Sequence, residues 1–107
     1  MTDIPRIDKM WPWEMPDGHW IDGFGREVWI KNGDYHRENG PSIIWKDGAT
    51  TWYQNGRLHR TDGPADQTLD GKPLWCLDAQ HYSLDEWLEF NDEITDKQRF
   101  FLKLKYG

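Results

Sequence analysis

Trp29, Trp52 and Trp75 recur at a spacing of 23 residues, and much of the chain between them recurs in step. Gly33/Gly56, His36/His59, Arg37/Arg60, Gly40/Gly63, Pro41/Pro64 and Gly48/Gly71 share the period, and Gly25 precedes Gly48 by the same interval. The common pattern is W-x-x-N-G-x-x-H-R-x-[DN]-G-P ending in D-G, read in full from Trp29 to Gly48 and again from Trp52 to Gly71. A partial copy leads in from His19 to Val28, and a degenerate one trails out from Trp75 to His81 with Asp78-Ala79 in place of Asn-Gly. Atypical end copies suit a stacked repeat, because a terminal unit has a neighbour on one side only.

The dipeptides inside each copy fix the kind of structure. Asn32-Gly33, Asp47-Gly48, Asn55-Gly56 and Asp70-Gly71 tolerate the positive φ that two-residue hairpin turns need. Ser42 to Lys46 is therefore expected to pair with Thr50 to Gln54, and the latter with Arg57 to Arg60. Asn39-Gly40-Pro41 and Asp62-Gly63-Pro64 read as wider turns, since proline cannot donate within a central ladder. Gly or Pro interrupts nearly every window from Asp17 to Pro73, which excludes helix there. The three periodic indoles should form a row on one sheet face and serve as core.

The tail changes character. Ser83-Leu84-Asp85-Glu86 and Thr95-Asp96-Lys97-Gln98 are capping boxes, each able to open a short helix. The first helix carries Leu84, Trp87 and Leu88 on one face; in the second, Phe101, Leu102 and Leu104, with Ile94 upstream, are expected to form an apolar stripe. Lys103 and Lys105 sit at the favourable end of that helix dipole. The expected fold is thus mainly β with C-terminal α (α+β): an antiparallel β-hairpin repeat meander capped by two short C-terminal helices. As a single domain over 1–107, it divides into an extended N-terminal segment (1–18), the hairpin repeats (19–82) and the helical cap (83–107).

The segments Trp29 to Pro41 and Trp52 to Pro64 resemble the variant membrane occupation and recognition nexus (MORN) repeats, tandem W-Y-x-N-G-x-x-H-R-x-D-G-P units of bacterial and phage proteins. The resemblance spans about Gly25 to His81, with Arg60-Thr61-Asp62-Gly63-Pro64 replacing the usual G-x-G after the histidine. It implies a β-hairpin repeat with a binding role, of the kind found in phage accessory proteins or antitoxin-like bacterial proteins. It implies no catalysis and assigns no functional residue.

Composition narrows the partners. A chain of 107 residues buries about two-thirds of its unfolded surface, enough for one modest core. Only 36% of residues are apolar, but 8 Trp, 4 Tyr and 4 Phe make that core from a few large rings. The net charge of −6 disfavours general nucleic-acid binding, which needs a positive surface. The lone Cys76, between Trp75 and Leu77, reads as a buried thiol and permits no internal disulfide. Met1 to Lys9 is polar, with no apolar run that could act as a signal or a membrane span, so a cytoplasmic location, the host cytoplasm for a phage protein, is expected.

Candidate binding residues fall into three groups. His36-Arg37 and His59-Arg60, in equal repeat phase, can either build an anion or nucleotide site on a sheet edge or brace the turns that follow, Arg37 toward Glu38 and Arg60 toward Asp62. Two histidines without a repeated carboxylate or thiol do not make a metal site, and no cofactor motif is present. Trp11, Trp13, Trp20 and Trp45 lie out of phase, Trp45 matching Thr68 and Trp20 matching Ile43; they are either interface anchors or rings folded back on the sheet. Finally, Ser42-Ile43-Ile44-Trp45 becomes Ala65-Asp66-Gln67-Thr68 in the next copy. That polar strand is either an exposed, charge-protected edge, or Asp66, Gln67 and Thr68 line a polar pocket against neighbouring aromatics.

With no nucleophile elbow and no phosphate loop, the expected function is a non-enzymatic binding module that inhibits or scaffolds a host protein or binds a toxin. The alternatives are an antitoxin-like protein or a small nucleotide-type ligand sponge built from the aromatic and His-Arg positions. An enzyme using His36 and His59 as general bases ranks last. Edge-to-edge pairing into a homodimer is compatible with each.

Overall fold

The computed structural model describes residues 3–107; Met1 and Thr2, the first residues of the polar start, lie outside the described residues. Ten strands and two helices follow in order: β1 (Gly18–Ile21), β2 (Glu27–Lys31), β3 (Asp34–Tyr35), β4 (Ile43–Ile44), β5 (Thr50–Thr51), β6 (Tyr53–Gln54), β7 (Arg57–Leu58), β8 (Asp66–Gln67), β9 (Pro73–Leu77), β10 (Gln80–Tyr82), α1 (Leu84–Phe90) and α2 (Asp96–Tyr106). The fold is mainly antiparallel β with two C-terminal helices. Its strand order is not that of a plain meander. The main sheet runs β1-β2-β4-β5-β8-β9-β10, with β3 pairing β2 off the path and β6-β7 forming a separate ribbon.

The periodic tryptophan is where each long strand divides its pairing. The Trp29 N–H donates to the Ser42 carbonyl at 3.0 Å within the sheet, while the Trp29 carbonyl accepts from the His36 N–H at 3.0 Å in the hairpin. Trp52 repeats this with Ala65 at 2.6 Å and His59 at 3.1 Å. Each long strand, 27–31 and 50–54, thus gives its first half to the main sheet path and its second half to a hairpin. The hairpins stack on one another. The Gly56 N–H donates to the Tyr35 carbonyl at 3.1 Å, and the Ala79 N–H to the Leu58 carbonyl at 2.8 Å.

Two turn types replace the single one expected. At Asn32-Gly33 and Asn55-Gly56 both residues have positive φ (52° and 77°; 51° and 77°), the signature of a two-residue hairpin turn. At Asp47-Gly48 and Asp70-Gly71 only glycine is left-handed, and the loops are longer: the Trp45 N–H reaches the Ala49 carbonyl at 2.9 Å. Aspartate instead caps the loop from within, Asp47 accepting from the Ala49 N–H at 3.0 Å and Asp70 from the Lys72 N–H at 3.3 Å. The degenerate copy keeps the two-residue turn without glycine, holding Asp78 at φ 47° and Ala79 at φ 69°. A left-handed alanine costs about 1–2 kcal/mol, partly offset by the greater unfolded-state entropy of glycine. Ala79→Gly is expected to raise stability by about 0.5–1 kcal/mol in urea unfolding.

Two small cores form instead of one. Met15, Val28, Ile30 and Ile43 are buried together, flanked by Ile7, Trp20, Tyr35 and Tyr53. The second core joins Trp75, Trp87 and Leu88, flanked by Leu77, Tyr82, Leu84, Ile94, Leu102 and Tyr106. Strand alternation explains the split, because Val28 and Ile30 point away from the face that carries Trp29. Only Trp75 of the three periodic indoles is buried; Trp29 and Trp52 are half-buried, each under the guanidinium of its own copy, Arg37 and Arg60, at 3.9 Å from the ring centre. One period after Arg60 stands Ser83, the cap of α1, so helices take over the cover that arginine provides elsewhere. The molecule extends over 41 × 25 × 23 Å. That elongation raises its accessible surface to 7018 Å², above the ~6,300 Å² typical for its mass.

Both capping boxes form. The stripe of α2 differs from the expected one: Ile94, Leu102 and Tyr106 face the core, while Phe101 and Leu104 are exposed alongside Phe100. Tyr106 packs edge-on against Trp75 at 5.1 Å, on the same core as Leu102. In α1, the backbone N–H and hydroxyl of Ser83 hold the Glu86 carboxyl below its ordinary value. That contribution is complete above the ordinary carboxylate range and is lost as pH falls through the depressed folded value. Urea midpoints measured from pH 6 to pH 3 are expected to fall less steeply in Glu86→Gln than in the parent.

Candidate functional site

Residues 5–17, ahead of β1, are tied to the sheet. The Ile21 N–H donates to the Pro5 carbonyl at 2.8 Å and the Ile7 N–H to the Ile21 carbonyl at 2.9 Å, so this segment occupies the outer edge of β1. Farther along, a 3-10 turn at Pro12–Glu14 ends at Met15, which is buried in the first core. That anchor holds Trp11 and Trp13 out on the surface, 46% and 70% exposed, with their rings parallel within 6° and 5.7 Å apart. Phe24 meets Trp11 edge-on, also at 5.7 Å.

Phe24 is exposed because the lead-in copy departs from the repeat. It stands one period before Asp47, the loop-capping aspartate. Asp22 performs that capping instead: its Oδ1 accepts from the backbone N–H groups of Phe24 at 3.0 Å and Arg26 at 2.9 Å. Its Oδ2 accepts from Arg26 Nε at 2.9 Å, with Nη2 at 2.8 Å, and the carboxylate is fully buried. Arg26 Nη2 also donates to Tyr35 Oη at 2.8 Å. Burial opposes the charge on Arg26, but the bonds to Asp22 and Tyr35 outweigh it and leave its pKa above the ordinary value.

The guanidinium so fixed lies 4.8 Å from the Trp45 ring centre, 5.1 Å from Phe24 and 5.7 Å from Tyr35. Trp45 is oriented from behind by a relay in which its Nε1–H donates to Thr51 Oγ1 at 3.0 Å, and the Thr51 hydroxyl donates to Asp66 at 2.8 Å. These rings line an open cleft of about 680 Å³, with Lys46 and Asp47 also in its lining. Gly25, beside the Lys46 side chain, holds φ at 80°, in the left-handed region that favours glycine.

Protein-family models, curated proteins and solved structures give no match to this chain.

Of the residues singled out in the sequence, Trp11, Trp13 and Trp45 meet in this cleft. Trp20 does not: half-buried against the first core, it donates from Nε1 to the Pro16 carbonyl at 3.0 Å. Asp66 belongs to a strand between β5 and β9, so the exposed-edge reading is corrected. The Thr51 hydroxyl satisfies its carboxylate there, which lets a polar strand sit inside the sheet. Thr68 is exposed and bonded to Asp70 in its own loop, outside any shared pocket with Asp66. Sequence reasoning missed Asp22, Phe24, Arg26, Tyr35 and Lys46. Phe24-Gly25 in place of the periodic Asp-Gly is the signal that pointed to them.

The His-Arg pairs are architectural in geometry. His36 Nδ1 accepts from the Asn55 N–H and His59 Nδ1 from the Asp78 N–H, both at 3.0 Å, tying each hairpin to the tip of the next. Asp17 does the same for the first tip, accepting from the Asn32 N–H at 2.7 Å. Arg37 is not paired with Glu38, which bonds His36 Nε2 at 2.7 Å; Arg37 donates to the Pro41 carbonyl at 3.1 Å. Arg60 meets both Asp62 at 2.7 Å and the Pro64 carbonyl at 3.2 Å. The Trp29 ring is already stacked by His19 at 4.0 Å and contacted by the Arg37 guanidinium at 3.9 Å. His59→Ala is expected to cost about 0.5–1.5 kcal/mol, one hydrogen bond, with the loss seen as faster hydrogen exchange at Asp78.

Cys76 is fully buried, and burial first, then the Asp66 charge, pushes its thiol up, which makes it a poor nucleophile. Among the described residues no cluster of His, Cys, Asp or Glu could hold a metal ion, and no helix is long and apolar enough to cross a membrane.

Proposed function

We propose that this protein is a non-enzymatic binding module, of phage or bacterial accessory type, that recognises a partner protein through the aromatic cleft and thereby inhibits or scaffolds it. The observation that carries this reading is the convergence of exposed Trp11, Trp13, Phe24 and Trp45 around one immobilised arginine. Holding such rings in water forgoes their burial, worth about 1.5–3 kcal/mol for a large side chain. Tryptophan, tyrosine and arginine are also the residue types that dominate binding hot spots. The supports are rigid: Met15 anchors one wall, the Asp22–Arg26 pair the floor and the Thr51–Asp66 relay the other wall. Preorganisation of this kind lowers the entropy lost on association.

A photo-crosslinking amino acid placed at Phe24, at the cleft rim, would test the reading in host lysate. Trp13→Ala is expected to leave the urea midpoint nearly unchanged and to weaken the crosslinked partner about 30-fold, the worth of a ~2 kcal/mol hot spot. A partner held with undiminished affinity by Trp11→Ala, Trp13→Ala and the double variant would remove the cleft from the function.

A further inference from the structure

The chain holds three Asn-Gly dipeptides, Asn32-Gly33, Asn39-Gly40 and Asn55-Gly56. We infer that Asn32 is a site of spontaneous deamidation, a slow one-way modification that loosens the N-terminal segment carrying Trp11 and Trp13. The chemistry is intramolecular. The backbone nitrogen of the following residue attacks the asparagine Cγ, a C–N bond forms, and the side-chain nitrogen leaves as ammonia with the proton that the attacking nitrogen gives up. Water then opens the cyclic imide at one of its two carbonyls, giving aspartate or an isoaspartate whose backbone runs through Cβ. Glycine favours ring closure because no Cβ obstructs the attacking nitrogen.

The three sites differ in what holds that nitrogen. The Gly56 N–H donates to the Tyr35 carbonyl at 3.1 Å, which keeps both its proton and its position. Gly40 is buried beside the Arg37 guanidinium, out of reach of base from solvent. The Gly33 N–H makes no hydrogen bond among the described residues, because no hairpin precedes the first tip, and Asn32 itself is exposed. A bonded or buried amide reacts only through local opening, so Asn32 is the fast site.

Position makes that site consequential. At the first tip Trp13 lies beside Gly33, and Asp17 Oδ1 accepts from the Asn32 N–H at 2.7 Å, so the N-terminal segment leans on this turn. Asn32, Asn55 and Asp78 share the repeat phase, and the third tip thus already carries the product residue. Aspartate suits that tip because its carboxylate faces a histidine, with Asp78 Oδ1 3.7 Å from His59 Nδ1. The first tip is latched by Asp17 instead, and a new carboxylate beside it is repelled. Isoaspartate also adds a backbone carbon to a two-residue turn in which both residues hold positive φ. Either product works against the tie to Asp17.

The test ages the full chain in mildly alkaline buffer and follows each site by mass spectrometry. Trypsin cuts after Lys31, Arg37, Lys46 and Arg57, which puts the three asparagines in separate peptides. Conversion at Asn32 is expected to outpace that at Asn39 and Asn55 about fivefold or more in the folded chain, and the gap should close in urea. Equal rates in the folded chain, or a faster Asn39 or Asn55, would overturn the inference. Asn32→Asp and Asn55→Asp then test the consequence by hydrogen exchange. Faster exchange of the Glu14 and Met15 amides, which donate to the Trp11 and Pro12 carbonyls, is expected in Asn32→Asp alone. Unchanged exchange at both amides in Asn32→Asp would equally overturn it, since the site would then modify without loosening the segment. Neither readout involves a partner, so failure here leaves the cleft as the proposed binding surface.

Discussion

Trp87→Ala is expected to lower stability by about 3–5 kcal/mol, the range for truncating a fully buried tryptophan. Trp87 has no accessible surface and packs against Trp75 with ring centres 4.9 Å apart. It is the keystone between α1 and the last hairpin, and α1 is too short to persist without that contact. Other ties of the cap are modest by comparison: Asn91 Nδ2 donates to the Thr61 carbonyl and Arg99 Nη1 to the Leu88 carbonyl, both at 2.8 Å. A single domain has only about 5–15 kcal/mol in hand, so this loss approaches the whole of a weak one. Trp87→Phe sharpens the test. The Trp87 indole N–H is buried and meets no acceptor among the described residues, a penalty of about 1–3 kcal/mol that phenylalanine removes. Phenylalanine should therefore cost less than about 1.5 kcal/mol despite its smaller volume. Urea unfolding followed by circular dichroism would read both variants. An alanine variant within about 1 kcal/mol of the parent would show that the helices are not held by this core.

Arg26→Ala is expected to cost a similar amount, about 3–5 kcal/mol, for a different reason. The side chain of Asp22 is fully buried and that of Arg26 only 11% exposed, so solvent screens the pair weakly. Removing the guanidinium strands a buried carboxylate with two backbone N–H groups as its remaining partners. The cleft is lost as well, because Arg26 is what Phe24, Tyr35 and Trp45 gather around. Charge is the cause under test, and a double replacement isolates it. Asp22→Asn with Arg26→Leu removes both charges and should recover most of the stability without restoring partner binding. Equal losses in the single and double variants would mean that packing, and not the stranded charge, is responsible.

The aromatic cleft was only half legible beforehand, and the reason is physical. Trp11, Trp13 and Trp45 stand out in the sequence by being large and out of phase. Arg26 and Asp22 do not stand out, because a carboxylate and a guanidinium four residues apart are common on surfaces. What distinguishes them is burial, which depends on the turn between β1 and β2 closing over them. The polar strand at Asp66 misleads for the same reason: its partner, the Thr51 hydroxyl, lies 15 residues away and becomes visible only once β5 and β8 pair. The histidines show the converse. Their recurrence is plain in the sequence, but its cause is a bond to the tip of the following hairpin, 19 residues on.

Local chemistry determined the elements. Positive-φ dipeptides placed the hairpin turns, the capping boxes placed both helices, and the 23-residue period set where equivalent residues recur. These effects act within a few residues, so the sequence carries them unaided. Tertiary structure decided which rings are covered. Arginine lies over two of the periodic indoles and helices over the third, while Met15 pins the N-terminal segment so that two further indoles stay in water. Exposure is a property of what packs on a residue from elsewhere in the chain, and no local pattern encodes it.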